Sequence, residues 1–452
     1  VTFSPVKALI FLSVALVAAK ARYWTLFLDS HGLTPSEIGL LMGIGSLAQL
    51  FATPIWGLLS DLTGRPTMML GVGLAGHVIC LQAFLFSGIF SLPVVCYGIY
   101  AIATGFEGSV SLVETVSIAN AKRTGESYGG QRWLASLGFG VGGLLSGCLL
   151  ESYGFSMLFA WTISVGLLTI SAAIASGYAV GSPAVSNGAS KKEEGEEEER
   201  GLAKLWLLLR TIKRAARDGA FFNLLVNATM FGTLVNMVDS MMVLHLQQAF
   251  NISKSYVGVL GLIGTISEIP VFIAVGQTMK RRGRETTMLF GNISFGIRMG
   301  LLAYIATRYE GTNTEFSNED GDDEKIDTYL ISDKIMLLIA LAAAQSLHGF
   351  SLVPYWTGAV EASYALAPAN LKSAYLGLLS MAFFTMGAGA IGSIVYGAIY
   401  DAYGGAAMYT TGILVSFVSA VHLKLCCQGV SKGTTAKHEL KVKSVSLPPC
   451  SP

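Results

Sequence analysis

Nine ionisable residues interrupt stretches of the sequence that are otherwise apolar. They are Lys20, Arg22, Glu107, Glu114, Arg132, Asp239, Glu268, Arg298 and His348. Ionisable side chains are costly inside a hydrocarbon layer, so within membrane-spanning helices they mark solute or proton pathways. Carboxylates and guanidinium groups hold polar solutes through charge-assisted hydrogen bonds. No nucleophile and base stand together in the pattern, so these residue types favour binding and proton coupling and not catalysis.

The composition indicates that these residues lie in a membrane. Of the 452 residues, 52% are hydrophobic and only 13% are charged, whereas soluble proteins carry about 25% charged residues. The formal net charge of +1 excludes a nucleic-acid binder held by bulk positive charge. Six cysteines in a chain of this length are too few for a disulfide framework. We expect no cofactor, because the chain has neither a phosphate-binding Gly-Lys-Ser/Thr loop nor a Cys/His cluster with metal-ligand spacing.

A helix needs about 20 apolar residues to cross a bilayer, and the apolar runs here predict twelve such helices. The predicted spans are 7–28, 37–60, 67–88, 93–117, 131–150, 155–180, 219–245, 255–279, 286–307, 335–361, 373–399 and 404–425. Lys and Arg cluster in alternate loops, as at Arg65 and 280–284, which predicts that both termini are cytoplasmic. The sequence therefore predicts an all-α, multi-pass membrane protein, in the plasma membrane or an endomembrane.

An internal repeat divides the predicted helices into two halves. The segment 34–39 matches 253–258, and at the same offset Gly64 meets Gly283; further on, Gly154 meets Gly404. Thr34 and Glu37 also form a predicted capping box at the start of the second helix. We predict an N-terminal six-helix bundle, a cytoplasmic linker with an amphipathic helix, a C-terminal six-helix bundle with an acidic outer loop, and a cytoplasmic tail. Their residues are 1–181, 182–217, 218–426 (the loop at 309–333) and 427–452.

One short string carries a family resemblance. Gly57, Asp61, Gly64 and Arg65 place an acid near a helix end and a cation in the following turn, a pair that can latch neighbouring helices. This string resembles the signature loop between helices two and three of the major facilitator superfamily, and 276–284 resembles its degenerate second copy. The repeat and the twelve-span plan fit the same family over the whole chain.

Within that superfamily, the sequence resembles lactose-permease-like and nucleoside-symporter-like carriers (the MFS-1-like branch), including their eukaryotic relatives. The matching residues include Val113-Glu114, Glu268, Arg298 and 347–350. The resemblance implies two six-helix bundles that carry a small polar organic solute, sugar- or nucleoside-like, by alternating access. It also implies a binding site near the membrane midplane, between the bundles.

The resemblance assigns Glu114 and Arg132 to a charged pair that grips solute hydroxyls, with a structural salt bridge as the alternative. Glu107 lies seven residues before Glu114 and is predicted to share its helical face. Lys20 and Arg22 are two residues apart, so a regular helix is not expected to point both into one cavity. Two aromatic residues, Tyr355 and Trp356, either stack on a solute ring or face lipid.

Proton coupling is assigned to Glu268, with Arg298 and Asp239 as further members. A static ion pair between Arg298 and Asp239 is the alternative. His348 is a candidate hydrogen-bond partner of the solute or of Glu268, and a packing role is equally open.

Two departures from the family pattern bear on coupling. Ser351 stands where the resemblance places a proton-accepting carboxylate, and Thr385 lies where it places a lysine. The hypothesis is a proton-coupled secondary transporter, expected to be monomeric, whose partners are the solute, protons and lipid. An uncoupled uniporter and a transport-dead sensor or scaffold remain alternatives.

Overall fold

The computed structural model describes residues 4–124, 129–180, 213, 217–310, 323–368 and 371–427. Twelve helical segments follow one another in this part of the chain. The first six are α1 (Pro5–Asp29), α2 (Pro35–Thr63), α3 (Pro66–Gln82), α4 (Pro93–Glu107, then Leu112–Thr124), α5 (Gly129–Tyr153) and α6 (Ser156–Val180). The second six are α7 (Gly219–Asn236, then Met242–Phe250), α8 (Lys254–Arg282), α9 (Arg284–Tyr309), α10 (Asp323–Ser346, then His348–Leu366), α11 (Lys372–Ser380, continuing to residue 403) and α12 (404–426).

Several of these helices are irregular where they pass through the middle of the protein. A 3-10 turn, Gly108–Ser111, divides α4, and π-helical segments interrupt α7 at Met237–Met241 and α11 at Met381–Gly392. Departures from α-helical geometry at membrane depth occur where the backbone is buried in protein or lines a cavity. These segments therefore point to the centre of the molecule as its functional region.

The helices are long and apolar enough for a membrane protein. Ten helices of the described chain meet the length and hydropathy of a membrane span. α4, which a 3-10 turn divides, is not among the ten, and α11 and α12 count as one because they join directly. The predicted all-α, polytopic fold with twelve transmembrane helices is confirmed.

The predicted capping box is confirmed at the start of α2. The Glu37 N–H donates to the Thr34 hydroxyl over 3.3 Å, and the Thr34 N–H donates to the Glu37 carboxylate over 2.9 Å. At the matching position of the second half, the Ser253 hydroxyl accepts from the Tyr256 N–H over 3.2 Å at the start of α8. Equivalent helices thus begin with equivalent caps.

Four tight helix connections carry the same internal repeat. Gly64 and Gly283 join α2 to α3 and α8 to α9, and both have positive φ angles, of 62° and 82°. Gly154 and Gly404 join α5 to α6 and α11 to α12, with φ angles of 77° and 78°. Glycine is favoured in this conformation because it has no Cβ atom. The residues that the repeat aligns therefore perform the same backbone task in both halves.

The two six-helix bundles contact each other most extensively along two helix pairs, α5 with α8 and α2 with α11, and also between α1 and α7. The contacts are tightest at the end of the molecule that carries the α1–α2 and α7–α8 connections, which we call the closed end. There a Cβ atom at Gly397 would lie 3.0 Å from the Cα atom of Gly39, and one at Gly258 would lie 2.8 Å from the Cα atom of Leu144. Glycines at this seam allow the backbones to meet directly.

The other end of the molecule, which carries the start of α1 and the end of α12, is called the open end. Phe272 of α8 and Phe384 of α11 line the space between the bundles toward this end, and they are 45% and 44% exposed. The predicted linker helix within 182–217 and the tail after 427 lie outside the described residues, apart from single positions at 213 and 217, and so do residues 311–322 of the acidic loop predicted at 309–333. Residues 323–333 of that predicted loop are instead the first turns of α10. The domain boundaries drawn there stay predictions.

Candidate functional site

A cavity of about 510 Å³ lies between the two bundles. Both bundles line it, through α1, α2, α4 and α5 on one side and α7, α8, α10 and α11 on the other. Six of the predicted solute and proton residues line this cavity: Glu107, Glu114, Asp239, Glu268, His348 and Trp356. Arg298 lies directly behind the wall and is fully buried. Only the backbone of Arg132, in the first turn of α5, is described, so its predicted pairing with Glu114 lies outside the described residues.

Glu268 on α8 connects the two bundles through its carboxylate. Its Oε2 accepts a hydrogen bond of 3.0 Å from the hydroxyl of Ser136 on α5, across the interface. Its Oε1 lies 3.2 Å from Nε2 of His348 on α10, within the C-terminal bundle. The glutamate is 9% exposed and lines the cavity. A proton at Glu268 would therefore change a contact between the bundles.

Arg298 on α9 selects one tautomer of a neutral His348. Its Nη1 donates to Nδ1 of His348 over 2.9 Å, and its Nη2 donates to Oε1 of Gln345, three residues before the histidine. Because a guanidinium only donates, Nδ1 must accept, which leaves the ring hydrogen of a neutral His348 on Nε2. Nε2 then donates to Glu268. Ser136, Glu268, His348, Arg298 and Gln345 thus form one continuous hydrogen-bonded chain.

Asp239 does not form the static ion pair with Arg298 that was left open as an alternative. The two terminal nitrogens of Arg298 donate hydrogen bonds to Gln345 and His348 instead. Asp239 lies in the π-helical turn of α7, half-buried, and lines the cavity. Within the described residues, no hydrogen bond or ion pair engages its carboxylate. Asp239 therefore lines the cavity without a direct ion pair to the arginine.

Glu107 and Glu114 both line the cavity, but the chain between them does not form two regular α-helical turns. The 3-10 turn between them changes the rotation of α4, so the simple seven-residue argument does not apply. Glu107 forms an ion pair with Lys20 of α1, and the two side chains are only 7% and 13% exposed. Glu114 also borders a smaller neighbouring cavity together with Ser13 and Ser117.

The expectation that Lys20 and Arg22 cannot share one cavity is wrong. α1 is a continuous helix, and both residues line the same space from different sides. Lys20 points to Glu107 of α4, whereas the Arg22 guanidinium lies 4.7 Å from the ring centre of Phe139 on α5. A cavity wide enough to reach two faces of α1 explains the difference.

The two neighbouring aromatic residues on α10 have different surroundings. Trp356 lines the cavity, 5.0 Å from the ring centre of Phe384. Tyr355 faces neither lipid nor solute, contrary to both alternatives, because it is fully buried in the C-terminal bundle. Its ring stacks on Phe231 at 3.7 Å, and its hydroxyl donates to Asn227 over 2.8 Å. Tyr355 is therefore a packing residue.

The predicted gate string lies at the open end, around the turn between α2 and α3. Gly57 and Asp61 are in the last turns of α2, Gly64 caps it in the left-handed conformation, and Arg65 precedes α3. Asp61 and Arg65 are both exposed. The latch between neighbouring helices stays a prediction.

Ser136, Gln345 and Phe139 were not identified from the sequence as site residues. They carry no charge, so they do not stand out within apolar runs as ionisable residues do. Helical spacing offers a signal, since Ser136 is four residues after Arg132 and Gln345 is three before His348. Among the described residues, no group of three or more His, Cys, Asp or Glu side chains is arranged to hold a metal ion.

Comparisons with known proteins identify relatives of the chain. It is 27% identical over 274 residues to an uncharacterised transporter of Bacillus subtilis, which covers 58% of this chain and 60% of that protein. It is 24% identical over 288 residues to a probable 3-phenylpropionic acid transporter of Escherichia coli, covering 62% of this chain and 68% of that protein. A maltose permease of Geobacillus stearothermophilus is 26% identical over 141 residues, 31% of this chain and 35% of the permease. The chain thus matches about three fifths of the length of the Bacillus relative.

Solved structures show the same fold at low sequence identity. The nucleoside transporter NupG superposes with a TM-score of 0.65 at 14% identity, over 95% of this chain and 98% of NupG. A peptide transporter, POT, superposes with a TM-score of 0.65 at 12% identity, over 95% of this chain and 94% of that one. The model of the MFS_1 like family matches residues 4–310 and 329–411, which is most of the chain. With its two six-helix bundles, the protein therefore belongs to the MFS_1 like family of the major facilitator superfamily.

Proposed function

We propose that this protein is a secondary transporter that moves a small polar organic solute across a membrane by alternating access. The observation that carries the proposal is the cavity of about 510 Å³ between the bundles, which both bundles line with ionisable side chains. Pockets of 300–1,000 Å³ suit small organic ligands. The proteins named above are transporters, and the solutes that their names give are 3-phenylpropionic acid, maltose, nucleosides and peptides.

The arrangement of the bundles corresponds to one state of a transport cycle. The bundles meet at the closed end and part toward the open end, where the chain termini lie. If the termini are cytoplasmic, as the Lys and Arg distribution predicts, the cavity faces the cytoplasm. The opposite state would separate the closed end and bring together the helix ends around Asp61 and Arg65, in the proposed gate.

Glu268 is the proposed proton-coupling residue. It is the carboxylate that accepts one hydrogen bond from each bundle, from Ser136 and from His348. Protonation would remove its negative charge and weaken both contacts. In this scheme Arg298 positions His348, and Asp239 and Glu114 hold the solute or serve as second acids. Because Ser351 is fully buried and its hydroxyl donates to the Leu347 carbonyl, it takes no part in proton transfer.

Uptake into proteoliposomes tests the proposal. The purified protein is offered sugars, nucleosides and organic acids, with and without an inward proton gradient. We expect gradient-driven accumulation of at least one solute. In Glu268→Gln the gradient should no longer drive accumulation, while exchange of solute for solute across the membrane continues, because exchange needs no net proton movement.

A matched control removes a carboxylate elsewhere. Glu361 is an exposed residue of α10 outside the cavity, and Glu361→Gln should accumulate the solute as the wild type does. Saturable uptake that only equilibrates, in both wild type and Glu268→Gln, would identify an uncoupled uniporter. No uptake by the folded protein would contradict transport and favour a sensor or scaffold.

A further inference from the structure

Arg22 has no role in the transport mechanism described so far. The residue is only 8% exposed, yet it lines the central cavity. Its Nε is buried without a hydrogen-bond partner, and no acid or carbonyl among the described residues pairs with its guanidinium. Removing a cation from water is strongly unfavourable unless an opposite charge or acceptor compensates for it. Arg22 is therefore a largely buried cation of the cavity wall without a counter-charge paired to it among the described residues.

Four acids line the cavity, Glu107, Glu114, Asp239 and Glu268, and within the described chain no hydrogen bond or ion pair joins any of them to Arg22. Glu107 pairs with Lys20, and Glu268 is held by Ser136 and His348. Asp239 lines the cavity from the opposite bundle but makes no ion pair with Arg22. The guanidinium is therefore available to an external anion in the cavity.

The guanidinium of Arg22 packs closely against two glycines and one aromatic ring. A Cβ atom at Gly143 of α5 would lie 2.7 Å from Nε of Arg22, and one at Gly261 of α8 would overlap its Nη1. The Phe139 ring covers one face of the guanidinium, at 4.7 Å. Aromatic and backbone surfaces hold a planar guanidinium without using its N–H donors. The terminal nitrogens thus stay available toward the cavity.

We propose that Arg22 is the anion-recognising residue of the cavity and that the transported solute is an organic carboxylate. This inference rests on the proposed transport function and narrows its substrate class. A carboxylate accepts two parallel N–H bonds from one guanidinium. A phosphate monoester carries nearly two negative charges at neutral pH and would need a second free cation. Lys20, the other cation that lines this cavity within the described chain, is already paired with Glu107.

The position of Arg22 also gives the carboxylate a mechanical role. Gly143 belongs to the N-terminal bundle and Gly261 to the C-terminal bundle, and the guanidinium lies against both. A carboxylate bound here would lie at the interface that must open and close. Arg22 would therefore contact the solute and, at the same time, both sides of the interface between the bundles.

Binding to the purified full-length protein tests the inference separately from transport. Calorimetric titration compares matched pairs: 3-phenylpropionate with 3-phenylpropionamide, benzoate with benzamide, and gluconate with glucose. We expect at least one carboxylate to bind about tenfold or more tightly than its neutral match, in line with a charge-assisted hydrogen-bond pair. Arg22→Gln should abolish this preference. Arg281→Gln, which removes an exposed arginine at the end of α8, should keep it.

A second variant leaves the charge in place. Gly261→Ala puts a methyl group where the guanidinium lies, and the flexible end of Arg22 must move aside, so the protein should fold and lose the same preference. Three results would overturn the inference: no carboxylate of the panel binds, the neutral matches bind equally well, or Arg22→Gln keeps the preference. Uptake of neutral solutes without carboxylate preference would overturn this inference alone, whereas failure of all uptake would reject transport itself.

Discussion

The Lys20–Glu107 pair joins α1 to α4 inside the N-terminal bundle, where both side chains are nearly shielded from solvent. Such a pair is held by mutual attraction that offsets the cost of removing two charges from water. Removing one partner leaves the other charge buried and uncompensated. The pair is therefore more important for stability than an exposed salt bridge would be.

We predict that Glu107→Gln lowers the free energy of unfolding by about 3–5 kcal/mol, because Lys20 stays buried without its counter-charge. The double variant Lys20→Met, Glu107→Met should recover most of this loss, because it removes both charges. Thermal unfolding of the detergent-solubilised proteins, at one fixed heating rate, measures the difference. An unchanged unfolding temperature in Glu107→Gln would mean that water already solvates this pair.

The sequence identified charged site residues better than it identified their partners. Glu268 and His348 stand out because each interrupts an apolar run, and both line the cavity. The contact between them depends on how α8 packs against α10, which no local pattern specifies. Ser136 was missed for the same reason, since a serine in a membrane helix is common and carries no charge.

At the scale of helices, starts and turns were predictable and internal irregularities were not. Thr34, Pro35 and Glu37 form a local signal that specifies the start of α2, and the structure has that cap. The π-helical turns in α7 and α11 have no comparable local signal, because they result from packing between helices. Asp239 lies in one of them, so the sequence alone did not decide between a place at the cavity and the alternative ion pair with Arg298.

Close packing between α2 and α11 depends on Gly39. A Cβ atom there would overlap the carbonyl oxygen of Ser393, and backbone atoms cannot move aside as a flexible side chain can. We therefore predict that Gly39→Ala pushes the bundles apart at the closed end. The measurement is the distance between spin labels at Ser30→Cys and Tyr403→Cys, by double electron–electron resonance in a background without other cysteines.

The control for this variant is Gly98→Ala on α4. Nothing lies within 4 Å of the position that its Cβ would occupy, so the label distance should stay as in the wild type. An unchanged distance in Gly39→Ala would show that α2 and α11 adapt without separating.

At the scale of the whole molecule, hydrogen bonds across the bundles stabilise the closed end. The Tyr23 hydroxyl, fully buried, lies 2.8 Å from the Gly143 carbonyl and 3.1 Å from the Lys254 carbonyl of the other bundle. Glu151 accepts a 2.6 Å bond from the Lys254 N–H, and Asp29 accepts one of 2.6 Å from Gln248. The bonds to Lys254 and from Gln248 join the two bundles, so a separation of the closed end would break them, whereas the bond to Gly143 lies within the N-terminal bundle.

We predict that Tyr23→Phe shifts the conformational equilibrium toward opening of the closed end by roughly 2- to 10-fold, the effect of one net hydrogen bond. The same spin-label pair reports the two populations. Tyr304→Phe is the matched control, because that tyrosine is 64% exposed on α9 and should leave the populations unchanged. Equal populations in Tyr23→Phe and wild type would exclude this hydroxyl from closure.

The two-bundle architecture was the most predictable feature of the protein. Its evidence is repeated along the chain, in apolar runs and in matched glycines such as Gly64 with Gly283. The relative position of the bundles was not predictable, because the proposed alternating access would require one sequence to fit at least two arrangements. The sequence specifies the fold of each bundle, whereas the shape of the cavity between the bundles depends on the conformational state of the protein.

The four glycine connections restrict how this protein can change shape. Gly64, Gly154, Gly283 and Gly404 each turn the chain between two helices with almost no intervening residues. Such short joints cannot stretch, so the paired helices keep their ends together while their relative angle changes. In the proposed transport cycle, a tilt of one helix would therefore be transmitted through the glycine to the helix that follows it.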